Sequence, residues 1–392
     1  LALYTFLSLY GLFLWRHDRH PAWLVMAGLF GGWSVGVKYT GGIALAAGAL
    51  LIAGNYRLSD WRPLFKALAQ YGIPAVLILA PWLIKNIVYV GNPVFPFFYK
   101  WGAARLNPWV GHAAAGYFAG LSEYQARPLW ALPGLLLQAA AHGMHFGGGM
   151  DVLGDFGWAP LIAFLPALAL KSARSAPVRW LLVYAGLFFI PWGMTRPVLR
   201  FMMPLAPVLA LLSAHALMTG TERAGSLIRW LARAGVTAAV TSGLLIFMNI
   251  AGLLSSFSVI SGLEDRDAYL SRKLDYYGAA QFINRELNDG QLALVVGDQR
   301  SYYYSRPVLV TPVFNSNPLA GWANDARDPG ELARRLRSEG ITHLVVNYPE
   351  MERLRIYNIL PFSPQGLGNW QHLLKNQTRS LYKDRSCEIF AL

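Results

Sequence analysis

The chain has 392 residues, of which 55% are hydrophobic and 14% are charged, and its formal net charge is +13. Soluble domains hold about 25% charged residues, so this composition excludes an ordinary soluble protein and indicates a membrane protein. Residues 1–257 hold 18 Lys and Arg against 6 Asp and Glu, whereas residues 258–392 hold 16 against 15. We therefore predict a multi-span membrane domain over residues 1–257 and a soluble extracytoplasmic domain over residues 258–392. The cations are scattered through short loops between apolar runs, which argues against a nucleic-acid partner.

Taken in chain order, the apolar segments predict about eight membrane-spanning helices. The chain starts inside an apolar run and without an initiator Met, so we expect it to lack the N-terminal part of a longer protein. Ala22–Ala53 is too long for one span and short for two, and residues 38–42 interrupt it. Two short helices that meet in a tight turn are therefore predicted there. The other predicted spans are Leu1–Trp15, Ala67–Val90, Ala159–Leu170, Trp180–Met194, Phe201–Met218 and Ala234–Phe257.

The basic loops set the predicted topology. Loops rich in Lys and Arg tend to stay in the cytoplasm, and the four basic loops share that side only if Ala22–Ala53 crosses the membrane twice. The hairpin places the long segment Gly91–Trp158 and the soluble domain together on the outer face of the plasma or inner membrane. Within that segment, Leu129–Ala141 is the best amphipathic piece of an interfacial loop. The four basic loops are residues 16–20, Gly54–Lys66, Lys171–Arg179 and Glu222–Arg233.

The soluble domain alternates between helical and strand patterns, which predicts a small parallel α/β sheet. Asp328 is a candidate N-cap for one of its helices, and Gly340 is the stop signal of that helix. No G-x-G-x-x-G or Walker loop occurs, so the sequence does not support nucleotide binding. We expect this domain to cover a membrane site or to help recruit an acceptor. The predicted elements are helices Tyr277–Leu287 and Pro329–Ser338 and strands Leu292–Val296, Pro307–Val310 and His343–Asn347.

Four cations fall at the predicted outer ends of spans, on the side that the positive-inside rule depletes of Lys and Arg. They are Lys38, Lys85, Arg196 and Arg200. Intramembrane charge is costly and often functional. Because Arg binds phosphate through paired donors and Lys binds it as a point charge, an anionic ligand such as a lipid phosphate or pyrophosphate fits this set. The alternative is headgroup contact by ordinary interfacial side chains, including a snorkelling Lys85.

Three outer acids are candidates for a general base: Glu123, Asp151 and Asp155. Asp151 and Asp155 are four residues apart and flank a Gly-rich bend. With His142 or His145 they would also suit a divalent cation, although the spacing matches no standard metal motif. The alternative is that both aspartates cap the loop through Asx turns.

Several stretches of this sequence resemble the polyprenyl-phosphate-sugar-dependent glycosyltransferases of the GT-C fold, the family 39 and protein mannosyltransferase-like group. The membrane stretches are GGWSVGVKYTGG (Gly31–Gly42), PWLIKNIVYVGNPVFPFF (Pro81–Phe98), GDFGWAPLIAFLP (Gly154–Pro166) and RPVLRFMMPLAP (Arg196–Pro207). The segments AAQFINREL and ELARRLRSEGITHLVVN are similar to the C-terminal soluble domains of bacterial members. The likeness covers most of the chain, but each motif is degenerate.

The resemblance implies transfer of a sugar from undecaprenyl- or dolichyl-phosphate to a lipid, glycan or protein acceptor on the outer face. The four cations would hold the lipid phosphate, and Tyr39 and Asn86 would orient polar groups. In this family the catalytic aspartate lies in the first outer loop, which we expect upstream of residue 1. Asp151 and Asp155 are then weaker candidates for contact with acceptor, sugar or metal.

A transporter or flippase of an anionic lipid-linked substrate is the alternative from another functional class. Transporters of that kind are built from inverted repeats and bind near the midplane. The two halves of this sequence show no self-similarity, and the cations gather at one face, which favours an enzyme. A structural membrane subunit would leave these cations unexplained.

Overall fold

The computed structural model describes residues 1–57, 59–98, 128–142, 145, 175–195, 197–222, 225–313 and 315–392. These residues form two compact units. The first, here called the helical unit, holds residues 1–98 and 128–247, and the second is Met248–Leu392. The sequence predicts a domain boundary at Ser258, and the two units divide at Met248, within the last turns of a long apolar helix.

Every predicted span within the described residues is helical. Trp192 Nε1 donates to the Val198 carbonyl over 2.9 Å and holds the short link that follows one of these helices. Two 3-10 turns, Leu129–Ala131 and Leu199–Leu205, precede the fifth and seventh helices. The helices are α1 Ala2–Asp18, α2 Pro21–Val37, α3 Gly41–Ala53, α4 Trp61–Val90, α5 Leu132–Ala141, α6 Ala176–Thr195, α7 Ala206–Thr221 and α8 Ser226–Leu254.

The number of spans differs from the prediction of about eight. Within the described residues, four helices are long and apolar enough to cross a membrane: Trp61–Val90, Ala176–Thr195, Leu199–Thr221 and Ser226–Leu254. Helices α1 and α2 have 17 residues and α3 has 13. At about 1.5 Å per residue they reach roughly 25 and 20 Å, short of a hydrocarbon core of about 30 Å. Counting apolar runs in the sequence therefore overestimates the number of spans, because turns divide these runs into helices that are too short to cross the membrane. The predicted span Ala159–Leu170 lies outside the described residues.

The predicted pair of short helices that meet in a tight turn is confirmed as α2 and α3, which are antiparallel. A Cβ on Gly31 would lie 2.6 Å from Leu45, and a Cβ on Gly41 would collide with the Ser34 carbonyl. By contrast, α2 and α4 are parallel. Gly28 lies against the backbone of Tyr71, and Gly32 lies against that of Ala75. The small residues of α2 therefore let the two helices approach closely.

Helix α5 lies in the segment Leu129–Ala141, which the sequence predicts to be amphipathic, and the buried face of this helix packs into the main core. Leu132 and Leu135 are buried, and both lie against Gly193 near the end of α6. The two spans with the least burial are α4 and α8, each only 6% buried, whereas the spans Ala176–Thr195 and Leu199–Thr221 are 39% and 44% buried. This contrast leaves most of the apolar surface of α4 and α8 free to contact lipid.

The second unit contains a five-stranded sheet in the order β2-β1-β3-β5-β4. Strands β2, β1 and β3 are parallel, as predicted, but β5 and β4 run antiparallel to their neighbours. The sheet is therefore mixed, and its two C-terminal strands were missed. The strands are β1 Leu292–Val296, β2 Val308–Leu309, β3 Ile341–Asn347, β4 Arg379–Lys383 and β5 Cys387–Ala391.

Two layers of helices complete this unit. Asp328 is confirmed as an N-cap, because its Oδ1 accepts the Glu331 amide over 2.8 Å. Its helices are α9 Ser256–Ile260, α10 Arg266–Lys273, α11 Tyr277–Glu286, α12 Pro318–Asp325, α13 Pro329–Ser338, α14 Tyr348–Arg353 and α15 Pro364–Asn376, with a 3-10 turn at Arg355–Tyr357.

Candidate functional site

Three of the four predicted phosphate-binding cations lie at the same end of the helical unit, and we call Lys38, Lys85 and Arg200 the cation cluster. Lys38 directly follows α2, and Lys85 lies in the last two turns of α4, which is parallel to α2. Arg200 lies in the 3-10 turn between α6 and α7. The fourth cation, Arg196, lies outside the described residues.

Lys38 and Arg200 share one aromatic ring. The Lys38 ammonium lies 3.6 Å from the centroid of the Phe201 ring, and the Arg200 guanidinium carbon lies 5.6 Å from it. Cation–π contacts offset part of the cost of holding charge at an apolar boundary. The two side chains are close enough for their like charges to repel each other. An anion between them would relieve that repulsion.

The 3-10 turn explains why Arg200 points outward. A 3-10 helix repeats every three residues, and Leu199, Met202 and Leu205 form its buried face. Arg200 and Met203 share a second face, which is exposed. The local conformation therefore keeps three apolar side chains inside while it presents the guanidinium at the surface.

The cation cluster has no counter-charge among the described residues. The described acids of the helical unit are Asp18 at the end of α1, Asp60 at the start of α4 and Glu222 after α7. All three lie at the ends of these helices opposite the cluster. Within the part of the chain that the structure covers, no side chain of the cluster donates a hydrogen bond or joins an ion pair. No described residue therefore competes with a ligand for these donors.

Tyr39 and Asn86, predicted to orient a substrate, are bonded to each other and to the protein. Tyr39 donates its hydroxyl proton to the Phe95 carbonyl over 2.9 Å and accepts from Asn86 Nδ2 over 3.0 Å. It also accepts from Trp82 Nε1 at 3.4 Å, and Asn86 Nδ2 donates to the Pro93 carbonyl at 3.0 Å. A tyrosine hydroxyl has one donor and two acceptor sites, and all three are occupied. In this structure the pair holds the segment after α4.

Lys85 is connected to the turn that carries Lys38 indirectly, through the aromatic side chains of Trp82 and Tyr39. Its ammonium lies 4.3 Å from the centroid of the Trp82 ring, one helical turn earlier in α4. Trp82 in turn donates to Tyr39, which precedes α3 and follows Lys38. A continuous path of contacts thus connects Lys85 with the turn that carries Lys38.

The predicted acids cannot be placed, because Glu123, Asp151 and Asp155 lie outside the described residues. His142 and His145, the candidate metal ligands, follow α5, and their ring centroids are 5.6 Å apart. Among the residues with described positions, no group of three His, Cys, Asp or Glu side chains could hold a metal ion. The proposed divalent cation therefore depends on the two aspartates.

The structure adds three residues that the sequence did not single out. The rings of Phe201 and Trp82 contact the cations. Phe201 is adjacent to Arg200 in the sequence, and Trp82 precedes Lys85 by about one helical turn. An aromatic residue at either spacing from a cation is the sequence signal that would have predicted these contacts. Thr40, beside the Lys38 turn, has a buried hydroxyl with no hydrogen-bond partner among the described residues. It is a further donor at the same end of α3.

Comparison with known proteins adds nothing to this geometry. No protein-family model and no curated protein matches the chain.

The second unit has its own charged cluster where β1 and β3 end. Arg300 pairs with Asp298 at 2.6 Å and with Asp275 at 2.7 Å, and Asn347 Nδ2 donates to both carboxylates. Burial lowers the pKa of the Arg300 guanidinium. Its hydrogen bond to Asp298 and the negative charges of Asp298 and Asp275 raise the pKa by more than burial lowers it, so the net shift is upward. Every carboxylate oxygen of Asp275 and Asp298 has a hydrogen-bond or ion-pair partner, so neither carboxylate is free to act as a base. The cluster instead connects the ends of β1 and β3.

Proposed function

We propose that this protein is a glycosyltransferase of GT-C type, which transfers a sugar from a polyprenyl-phosphate donor to a lipid, glycan or protein acceptor at the outer membrane face. The observation that carries the proposal is the placement of Lys38 and Arg200 on one ring without a described counter-charge. Charge at an apolar boundary is costly unless it is paired. A ligand phosphate supplies the missing partner.

The chemistry of the two cations favours phosphate over a simple carboxylate headgroup. Arg200 offers paired N–H donors in a fixed plane, and Lys38 offers a compact point charge. A phosphodiester or phosphate presents several oxygens that can accept from both side chains at once. The surrounding apolar surface suits a lipid-linked phosphate, since Trp82 is 47% exposed and Phe97 is 51% exposed beside the cluster.

The chemical step needs a base that deprotonates the acceptor, and such a base commonly contributes about 10²–10⁴ in rate. Within this sequence, Asp151 and Asp155 are the candidates. The cation cluster would stabilise the charge that develops on the departing phosphate. A flippase would instead need polar groups along a path between the two faces, whereas the cluster lies at one end of the helices.

Substitution of Arg200 tests the proposal. Losing one partner of a charge-assisted pair costs about 2–5 kcal/mol, on the order of 30-fold or more in affinity. Arg200→Ala should therefore weaken binding of a polyprenyl-phosphate sugar by the purified protein in detergent, and Arg200→Lys should restore only part of it. Binding is measured by titration of the donor, and folding is checked by the thermal melting temperature.

Arg62→Ala is the matched control, because Arg62 is also exposed and lies 5.3 Å from the centroid of an adjacent ring, that of Trp61, at the opposite end of α4. It should leave donor affinity unchanged. Equal affinity in wild type and both Arg200 variants would assign Arg200 to ordinary headgroup contact and remove the observation on which the proposal rests.

A further inference from the structure

Helix α8 ends in a short apolar segment that is exposed to an unusual degree. Phe257 is 52% exposed, Ile260 is 80% exposed and Leu263 is 85% exposed. Phe257 and Ile260 are three residues apart on α9, so they share one face. Large apolar side chains that are exposed together mark a surface that contacts a partner or a membrane. We call these three residues the apolar tip.

The length of α8 places this tip at a membrane surface. No charged residue occurs between Arg233 and Glu264. From Ala234 to the end of α8 at Leu254, the helix covers about 31 Å at roughly 1.5 Å per residue, which matches a hydrocarbon core of about 30 Å. The apolar tip follows directly, so an α8 that spans the bilayer would bring it to the interfacial layer.

The segment between α8 and α10 is held at both ends. Tyr269 Oη donates to the Leu254 carbonyl over 2.9 Å and Lys273 Nζ to the Leu253 carbonyl over 2.5 Å. These bonds satisfy carbonyls that a helix C-terminus leaves open, and the Lys273 charge suits the negative end of the helix dipole. At the far end of the segment, Arg272 pairs with Glu264 at 2.7 Å.

This anchoring keeps the apolar tip outward. Ser258 Oγ donates to Glu264 Oε2 over 2.8 Å, and the Glu264 amide donates to the Ser258 carbonyl over 3.0 Å. The polar side of α9 thus faces its own segment, while Ile260 and Leu263 face away from it.

We propose that the apolar tip is a membrane anchor, inserted into the lipid interface at the end of α8, which orients the second unit on the membrane surface. The charges beside it are balanced, because Glu264, Asp265 and Asp267 offset the three basic residues of α10. Insertion is therefore driven by burial of apolar area rather than by attraction to anionic lipid. The inference is independent of the proposed glycosyltransferase activity.

Spin labels test the insertion in the intact chain, reconstituted in phosphatidylcholine vesicles. Cysteines at Ile260 and Leu263 are labelled with a nitroxide, and native Cys387 is left in place because it is 1% exposed. Both labels should collide with oxygen more, and with a water-soluble nickel complex less, than a control label at Tyr302, which is 84% exposed in the same unit. Labels as accessible to nickel as the control, or shielded from both reagents by protein contact, would overturn the anchor.

A substitution separates insertion from folding. With the label at Ile260, Leu263→Asp should shift the label from oxygen towards nickel accessibility, whereas Ile356→Asp, at a 52% exposed apolar residue elsewhere in the unit, should leave it unchanged. The wild-type result should be the same in neutral and in anionic vesicles and at low and high salt. An oxygen accessibility that persists in Leu263→Asp, or that requires anionic lipid, would contradict insertion by the apolar tip.

Discussion

At both ends of the helical unit a cation lies against an aromatic ring, but the hydrogen bonding of the two cations differs. At one end Arg16 lies 4.6 Å from the Trp180 ring centroid, and at the other Lys38 lies 3.6 Å from that of Phe201. Arg16 also donates to the Ala176 carbonyl over 3.0 Å. The Lys38 ammonium donates no hydrogen bond to any described residue, and only the backbone amide of Lys38 is bonded, to the Ser34 carbonyl. Arg16 at the first end thus connects two of the protein's own helices, whereas no side chain of the cation cluster donates a hydrogen bond to a described residue.

The distribution of acids strengthens this contrast. Asp18 lies at the end that carries Arg16, where its carboxylate accepts from Trp23 Nε1 over 2.9 Å and from the His20 amide. Within the described chain, the opposite end has cations alone. The comparison teaches that an aromatic support by itself does not identify a binding site. The proposal for the cation cluster rests in addition on the lack of a described acid at that end and of described hydrogen bonds from its side chains.

The largest expected effect is on membrane sidedness, because the predicted topology puts the α3–α4 turn in the cytoplasm and the second unit outside. Cysteines introduced at Ser59, at the α3–α4 turn, and at Ser316, in the second unit, should react with an impermeant reagent from opposite faces of sealed vesicles. The expected result is all or none at each position. Labelling of both from one face would remove the two-pass hairpin and the site built on it.

A smaller effect is expected from the packing that brings the cluster together. A Cβ on Gly28 would collide with the Tyr71 carbonyl, whereas a Cβ on Gly36 meets nothing within 4 Å. Gly28→Ala should separate α2 from α4 and cost about 1–3 kcal/mol, which a lower melting temperature of the purified protein would report. Gly36→Ala is the matched control on the same helix and should melt as wild type does. Equal melting of the two variants would refute the close α2–α4 contact.

The smallest effect concerns the turn that carries Lys38. Tyr39→Phe removes the bonds to Phe95 and Asn86, each worth about 0.5–1.5 kcal/mol net. The variant should therefore lose a modest part of its stability in chemical denaturation. Tyr10→Phe serves as control, because Tyr10 is 54% exposed and its hydroxyl bonds to no described residue. If both substitutions behave alike, the hydroxyl network is not what holds the segment after α4.

Much of the fold follows from local pattern. Strand β1 occupies the residues that the continuous apolar run Leu292–Val296 predicts, and helix α13 occupies those that the Asp328 cap and the Gly340 stop predict. The antiparallel strands β4 and β5 escaped prediction because β5 owes its place to pairing with β3, where His343 lies opposite Ala391. Helix α5 was underestimated for the same reason. Its burial depends on Gly193 of α6, far along the chain.

The sequence by itself determined that this is a membrane protein with apolar helices, basic loops and four cations set against the charge bias. These properties depend on composition and on residues close in the chain, so they can be read without a fold. Only the tertiary structure decided which polar groups have partners. The Tyr39 hydroxyl is bonded to Phe95 and Asn86, whereas the charged groups of Lys38 and Arg200 meet over Phe201 without a hydrogen-bond partner among the described residues. Hydrogen-bond capacity is assigned by contacts between distant residues, and no local pattern contains that information.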